Sequence, residues 1–413
     1  MTARRPADAF GGPSAARSDG PPFDALYERF GDPAVRDLAW LLFSADLLRA
    51  QPHAPLAAPW TGDDEARAAA AWLTELDHDP ARLHAVLDAT RITRLGRYAE
   101  TLLGWYLAHG PAPRLVAANV ALRRAGLTLG ECDFLVQTSD ARRLHWELAV
   151  KCYLHAGAEA GAAPRLADFV GPNLRDRFDL KLAHLLDHQL RLSAREEFAW
   201  LGYEGPWLAQ MFVKGWLFYR AGKGAGLAPA DPPELAARHG RGWWVTHADW
   251  ADFADREGVD GWSLLPRLAW LAPRRIGPEM PRTDKSLDRP EFATNSQSSD
   301  PRDNGRDAAS NTSGQQPSGE GSPSGPEGPS GRQGGGRGTR ARQRGGEEAT
   351  LADRTAIAAP VDAATLFASL ARPHEPAMIA AFVADGAGGY VERSRGFLVP
   401  DDWPVRAQAF ARE

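Results

Sequence analysis

The chain has 413 residues, 43% hydrophobic and 24% charged, with a formal net charge of −5 and only two cysteines, Cys132 and Cys152. Two cysteines exclude a disulfide scaffold and any multi-cysteine metal cluster, and the charge balance gives no global basic signature for nucleic acid. No apolar run approaches the ~20 residues of a membrane span, so a cytoplasmic protein with no membrane partner is expected.

Residues 1–22 are rich in Ala, Gly, Pro and Arg, without the apolar stretch of a secretory signal, and read as a disordered lead. A helical front follows over 23–109. Its helices are expected around Phe23–Phe30, Ala34–Leu48, Glu65–Leu76 and Pro80–Ala89. A fifth lies in ITRLGRYAETLLGWYLAHG, where Leu95, Ala99, Leu102, Leu103 and Tyr106 recur at helical spacing and Gly110–Pro111 stops the run. Glu100 has Gly96 and Gly104 one turn away on either side, which lets the helix sit close to whatever Glu100 faces. The plainer reading is a solvated glutamate paired with Arg97 or Arg94.

The period then changes. RLVAANVALRRAGLTLGECDFLVQ alternates around a turn at Ala125–Gly126 and reads as a hairpin. After TSDAR, the segment RLHWELAVKCYL puts Leu144, Trp146, Leu148, Val150 and Cys152 on one face and His145, Glu147, Ala149 and Lys151 on the other, which is a strand. If TSDAR is a simple hairpin loop, Gln137 faces Arg143, and Asp133 lies opposite Glu147. Two carboxylates with Cβ atoms ~5 Å apart repel unless a proton or cation sits between them. A hard divalent ion, Mg²⁺ or Mn²⁺, resolves this with oxygen ligands. Lys151 shares the face ~13 Å along the strand from Glu147, where it would position water or neutralise a phosphate. Glu131 is a spare acid. The plain alternative is a half-exposed strand with mixed charges.

The succession of Glu100 helix, strand, turn, GECDFLV, WELAVK strand and helix resembles the PD-(D/E)XK nuclease-like fold. LGRYAETLLGWYL, TLGECDFLV, HWELAVKCYL, GPNLRDRFDLKLAHLLDHQL, VKGWLFYR, HGRGWW, PRLAWLAP and SRGFLVPDDWP are similar, in that order, to a bacterial family, domain-of-unknown-function family 1853. The likeness runs from about 25 to 273 and resumes near 361. The nuclease resemblance implies a helix glutamate at Glu100, a strand aspartate at Asp133 and an acid at Glu147, with the backbone carbonyl of Leu148 as a further ligand. It also implies a lysine two residues after that acid. Here Ala149 stands in that place and the lysine is Lys151, with Lys181 on the next helix as a stand-in.

That helix, expected over 173–190, has Asn173 as its N-cap and Leu174, Phe178, Leu182 and Leu185 as its core stripe. Arg177, Lys181, His184 and His188 form a second, basic stripe, suited to a phosphate backbone beside a nuclease-like sheet and otherwise a solvated face. His184 and His188 are also spaced for a transition metal. Trp243, Trp244, Trp250, Trp262 and Trp270 follow within 28 residues. They either stack bases or, on the plainer reading, pack a satellite core. FVKGWLFYR and PRLAWLAP read as strands, with Lys214, Arg241 and Arg267 as rim cations. Residues 274–350 read as a disordered linker, dispensable for folding, whose end GRQGGGRGTRARQRGG carries five arginines and no acid. PAMIAAFVAD, within 351–413, returns as a strand to the same domain.

The expected fold is therefore α/β (α+β): a helical N-terminal part, a central mixed sheet of PD-(D/E)XK type flanked by helices, and a long disordered insertion. The expected function is a Mg²⁺-dependent nuclease acting on nucleic-acid phosphodiesters. Asp133 and Glu147 hold the metal, Lys151 orients water, Glu100 holds a second metal or water, and Arg177, Lys181, His184 and His188 bind substrate. The alternative is an inactive module of the same fold that binds nucleic acid or a protein. Oligomeric state is left open.

Overall fold

A computed structural model describes residues 26–157, 162–223, 230–277 and 350–413. The expected disordered lead over 1–22, and residues 278–349 of the expected linker, lie outside them. The start of that linker is corrected: Arg274 is buried and Arg275–Ile276 is a strand.

Asp32 opens helix α1 (Pro33–Phe43), its Oδ1 accepting from the N–H groups of Ala34 and Val35, with proline in the first turn. The helix stops at Ser44 rather than Leu48. Leu47 N–H donates to the carbonyl of Val213 and Leu48 bridges Leu235, so these residues serve the sheet instead. The expected helix at Phe23–Phe30 is, within the described residues, a single 3-10 turn at Leu26–Arg29. Helices α2 (Asp63–His78), α3 (Ala81–Ala89) and α4 (Leu95–His109) match their periodicity.

Strands β1 (Arg114–Arg124) and β2 (Leu127–Gln137) are joined by Ala125 and Gly126, both at positive φ (48° and 82°), a turn whose twist suits a hairpin. β3 (Arg143–His155) returns along β2 with Gln137 opposite Arg143, and β4 (Phe169–Val170) pairs with its far end. The next helix, α5 (Phe178–Asp187), begins later than expected, because Leu174 takes φ +52° inside a turn closed by Gly171 N–H on the Asp176 carbonyl. Short α6 (Glu196–Ala199) leads to β5 (Leu208–Arg220), then β6 (Gly240–Thr246), α7 (Trp250–Glu257), β7 (Gly261–Leu264) and β8 (Arg275–Ile276). After the undescribed stretch come α8 (Leu351–Thr355), α9 (Ala363–Ala368), β9 (Ala377–Ala384), β10 (Tyr390–Val399) and α10 (Trp403–Arg412).

All ten strands join one mixed sheet, in the order β1-β2-β3-β5-β6-β10-β9-β7, with β4 beside β3 and β8 beside β10. β3, β5, β6 and β10 run parallel in sequence across its middle. Helices cover both faces. On the β3 side, α1 and α4 bury Phe134, Val136, Leu144 and Trp146 on one face, and α5 buries Tyr153, Val213 and Leu217 on the other. Towards β10, α10 covers one face, and α7 and α9 the opposite one. The fold class is thus mixed α/β as expected. No helix among the described residues is long and apolar enough to cross a membrane.

One expectation about the later segments changes. PRLAWLAP is not a strand: Pro266 leads into a 3-10 turn at Arg267–Ala269, and side chains claim the backbone carbonyls beyond it. Arg395 donates to the carbonyls of Trp270, Leu271 and Ala272, and Trp216 Nε1 to that of Leu271. The Trp cluster is core, as the plainer reading had it. Trp243, Trp244, Trp250 and Trp262 are buried, and Trp243, Trp250 and Trp262 meet Phe253 with ring centroids 4.6–6.4 Å apart, which removes them as base-stacking surfaces.

Gly215 sets how closely β5 approaches β3. It pairs with Lys151 at φ +147°, and a Cβ there would lie 1.8 Å from the Lys151 carbonyl oxygen. Gly215→Ala should therefore destabilise by about 2–4 kcal/mol, through overpacking and an unfavourable φ together. A urea midpoint within error of wild type would show that the strands absorb the methyl.

Candidate functional site

β2 and β3 pair from Gln137–Arg143 to Phe134–Trp146 and then part, while β3 stays in register with β5 along its length. At the parting point side chains replace the ladder. Leu148 N–H donates to Asp133 Oδ2 (2.9 Å), and Asp133 N–H to Glu147 Oε1 (3.4 Å). The two acids expected to face each other are thus held together by each other's strands.

Their surroundings differ from expectation. The face of β3 that carries Glu147 is not half-exposed. It lies under the 3-10 turn Gln189–Ala194, and both His145 and Glu147 are fully buried. That turn brings Gln189, whose Nε2 donates to Glu147 Oε2 (2.9 Å), and Ser193, whose Oγ sits 3.0 Å from His145 Nδ1. His145 Nε2 lies 2.6 Å from Glu147 Oε1. Cys132 is buried beside them, its Sγ within 4.8 Å of donor atoms of His145 and Glu147.

Burial pushes both carboxyls well above the usual carboxylate range, and the negative charge of Glu147 adds to the effect on Asp133. Burial pulls His145 down to about 4, so its imidazole is neutral near pH 7. Burial also raises the Cys132 thiol, and the neighbouring acids raise it further.

Glu100 on α4 acts on the same cluster through its charge. It pairs with Arg97 (2.8 Å), as the plainer reading had it, and its charge still acts on both Asp133 and Glu147. Arg97 also donates to Asn119 Oδ1 on β1 (2.9 Å), fixing α4 to the hairpin. Glu131 is exposed, and its charge acts on Arg97 and on Cys132.

Lys151 points elsewhere. Burial lowers its pKa, and the charges acting on it include Asp176 and Lys181, not the acid pair. With Lys181, His184, Gln189, Leu148 and Ala149 it lines a cavity of about 150 Å³ beside the acids. Among the stripe residues, Lys181, His184 and His188 are exposed, and the two imidazoles stack 5.0 Å apart. Arg177 is not in the helix. It precedes α5 and is held bidentate by Asp179 (3.0 and 2.8 Å). The expected rim cations are engaged: Lys214 is buried against Asp46 (3.2 Å) and the Ser44 carbonyl, Arg241 packs over Tyr219 beside Asp231, and Arg267 lies over Trp270.

Sequence reasoning missed Cys132, Gln189 and Ser193. The available signal was His145, which alternates with Glu147 on one strand face. The turn that covers that face lies some forty residues further along.

A family model described as a domain of unknown function matches residues 36–304. No curated protein and no solved structure matches the chain.

Proposed function

This chain belongs to the family Domain of unknown function (DUF1853), and from its acid cluster we propose a nuclease-like protein that acts on nucleic-acid phosphodiesters with a divalent ion. The observation that carries this reading is the Asp133/Glu147 pair. The buried Glu147 carboxyl and the half-buried Asp133 carboxyl are bonded to each other's strands, and desolvation pushes both upward, the charge of Glu147 adding to the effect on Asp133. Their oxygens are a donor set that fits Mg²⁺ or Mn²⁺. The run α4-β1-β2-β3, followed after the short β4 by α5, supports this reading.

A bound ion supplies Lewis-acid stabilisation and a more acidic water. The chain's own residues do the rest. Asp133 and Glu147 hold the ion. Glu100, steadied by Arg97, orients a water at the edge of the cluster. The cavity with Lys151 and Lys181 receives a phosphate, and exposed Lys181, His184 and His188 contact the backbone of a nucleic acid. Arg177 drops out of that surface because Asp179 occupies it. The two free cysteines, Cys132 and Cys152, suit a reducing cytoplasm.

A second reading, binding without cleavage, is favoured by one observation: Ala149 stands where the fold keeps its lysine, and Lys151 answers to Asp176 and Lys181 instead.

Calorimetric titration with Mn²⁺ and cleavage assays on single- and double-stranded DNA and RNA test both readings. Wild type should bind the ion, and Asp133→Ala should weaken it at least tenfold and abolish cleavage. Binding to nucleic acid should weaken with added salt through counterion release, and Lys181→Glu should lower the affinity. Ion and nucleic-acid binding with no cleavage selects the second reading. A wild-type protein that takes up no divalent ion removes the first.

A further inference from the structure

Cys132 from β2, and His145 and Glu147 from one face of β3, offer a sulfur, an imidazole nitrogen and a carboxylate oxygen that all lie within 4.8 Å of one another, with all three residues buried. We propose that this trio is a transition-metal site for an ion of the Zn²⁺, Co²⁺ or Fe²⁺ class. The ligands are the Cys132 thiolate, His145 Nε2 and a Glu147 oxygen. The inference rests on the reading of Glu147 as a metal ligand and names the class of ion it takes.

Ligand chemistry separates this class from magnesium. Mg²⁺ takes oxygen and keeps its waters, whereas thiolate and imidazole select zinc-like ions. Three protein ligands leave a fourth tetrahedral position open, the pattern of catalytic rather than structural zinc. Tetrahedral coordination holds such donor atoms roughly 3.5 Å apart, so small side-chain movements close the trio around an ion.

The surrounding contacts fit. Ser193 Oγ lies 3.0 Å from His145 Nδ1. When Nδ1–H donates to that hydroxyl, Nε2 carries a lone pair and faces Glu147 Oε1 at 2.6 Å. Two acceptors that close require a proton or a cation between them. Gln189 donates to the other carboxylate oxygen (2.9 Å) and fixes its plane. Metal-binding histidines and carboxylates are commonly held by outer partners of this kind. The plain reading of Cys132, a small core residue packed with Leu135, Leu192 and Phe198, does not account for its sulfur lying beside the only two polar groups on that face of β3 that bond each other. On binding, the Cys132 S–H bond and the Glu147 carboxyl O–H bond break, sulfur–metal and oxygen–metal bonds form, and both protons pass to buffer.

The test is Co²⁺ titration of the chelator-treated full chain. Wild type should develop a near-ultraviolet sulfur-to-cobalt absorption with intense tetrahedral visible bands, and Zn²⁺ should displace the Co²⁺. Cys132→Ser should lose the sulfur band, and Cys152→Ser should keep it. Zn²⁺ should bind at least a hundredfold more tightly than Mg²⁺. Co²⁺ binding without a sulfur band, lost in Asp133→Ala, overturns this site and leaves the all-oxygen reading standing. A sulfur band lost in Cys152→Ser instead also overturns it. Failure of Co²⁺, Zn²⁺, Mn²⁺ and Mg²⁺ alike overturns both readings. A wild-type chain that shows no sulfur band overturns the site whether or not the variants fold, and Cys132→Ser against Cys152→Ser assigns a band that does appear.

Discussion

Asp37→Ala should cost about 3–5 kcal/mol, a large part of the 5–15 kcal/mol that holds a typical domain together. Asp37 is fully buried on α1. Its carboxylate accepts from Arg274 Nη2 (2.9 Å), Tyr98 OH on α4 (3.0 Å) and Ala272 N–H (3.0 Å). Arg274 is itself buried. Its backbone N–H donates to Glu392 (2.8 Å), and Glu392 pairs with buried Arg395 (2.5 Å) on β10. Arg395 then holds the carbonyls of Trp270, Leu271 and Ala272. Removing Asp37 leaves a guanidinium out of water with no counter-charge, which is the costly half of breaking a buried pair. Asp37→Leu combined with Arg274→Met should recover much of the loss, because no bare charge remains. Urea unfolding of the three variants decides. If Asp37→Ala falls within about 1 kcal/mol of wild type, water reaches Arg274 and the chain of pairs is not closed.

The metal-free protein should lose stability as pH rises from about 6.5 to 8. Asp133 and Glu147 are held at about 8 in the folded chain, against about 4 in an unfolded one. The folded state therefore keeps protons that the unfolded chain releases. That contribution is complete below the unfolded pKa and disappears as pH passes through the folded one. Each retained proton is worth about 1.4 kcal/mol per pH unit. His145 acts in the opposite sense at lower pH. Its pKa falls from 6.5 to about 4 on folding, so its contribution grows as pH rises towards 6.5 and masks the carboxyl slope there. Above 6.5 the carboxyls stand alone, with a loss of order 2 kcal/mol per retained proton up to pH 8. Asp133→Asn with Glu147→Gln should flatten the profile. A divalent ion should do the same, and its affinity should rise over this window because it displaces the protons. Thermal melts with and without Mn²⁺ across that range are the measurement. A flat wild-type profile would mean that water reaches the pair.

Some of this was legible from residue order. Period two in RLHWELAVKCYL and the hairpin loop TSDAR place Asp133 beside Glu147, and the spacing in LGRYAETLLGWYL gives α4 and its Glu100. Such patterns say which residues share a face and nothing about what covers it. Gln189 and Ser193 arrive on a separate turn and convert a half-exposed face into an interior one. Lys214 looks like a surface cation until Asp46, from the segment after α1, meets it in the core. The PRLAWLAP segment fails as a strand for a related reason. Its carbonyls are spent on Arg395 and Trp216, which the local pattern does not contain. The place of β10 between β6 and β9 has no local signal either, because a parallel neighbour leaves no turn to mark it.

That placement has a consequence for a chain made from one end. β1 to β5, with the whole acid cluster, are complete once residue 220 is made. β6 gains its second neighbour, and β7 its antiparallel partner, only when β10 and β9 appear, more than a hundred residues after Leu264. At 5–20 residues per second the ribosome takes roughly 6–20 s to bridge that gap. Throughout it Trp243, Trp244 and Trp262 wait without the strands that bury them. The nascent chain thus carries a finished candidate site beside an open aromatic strand edge, and that edge is where a chaperone would have most to hold.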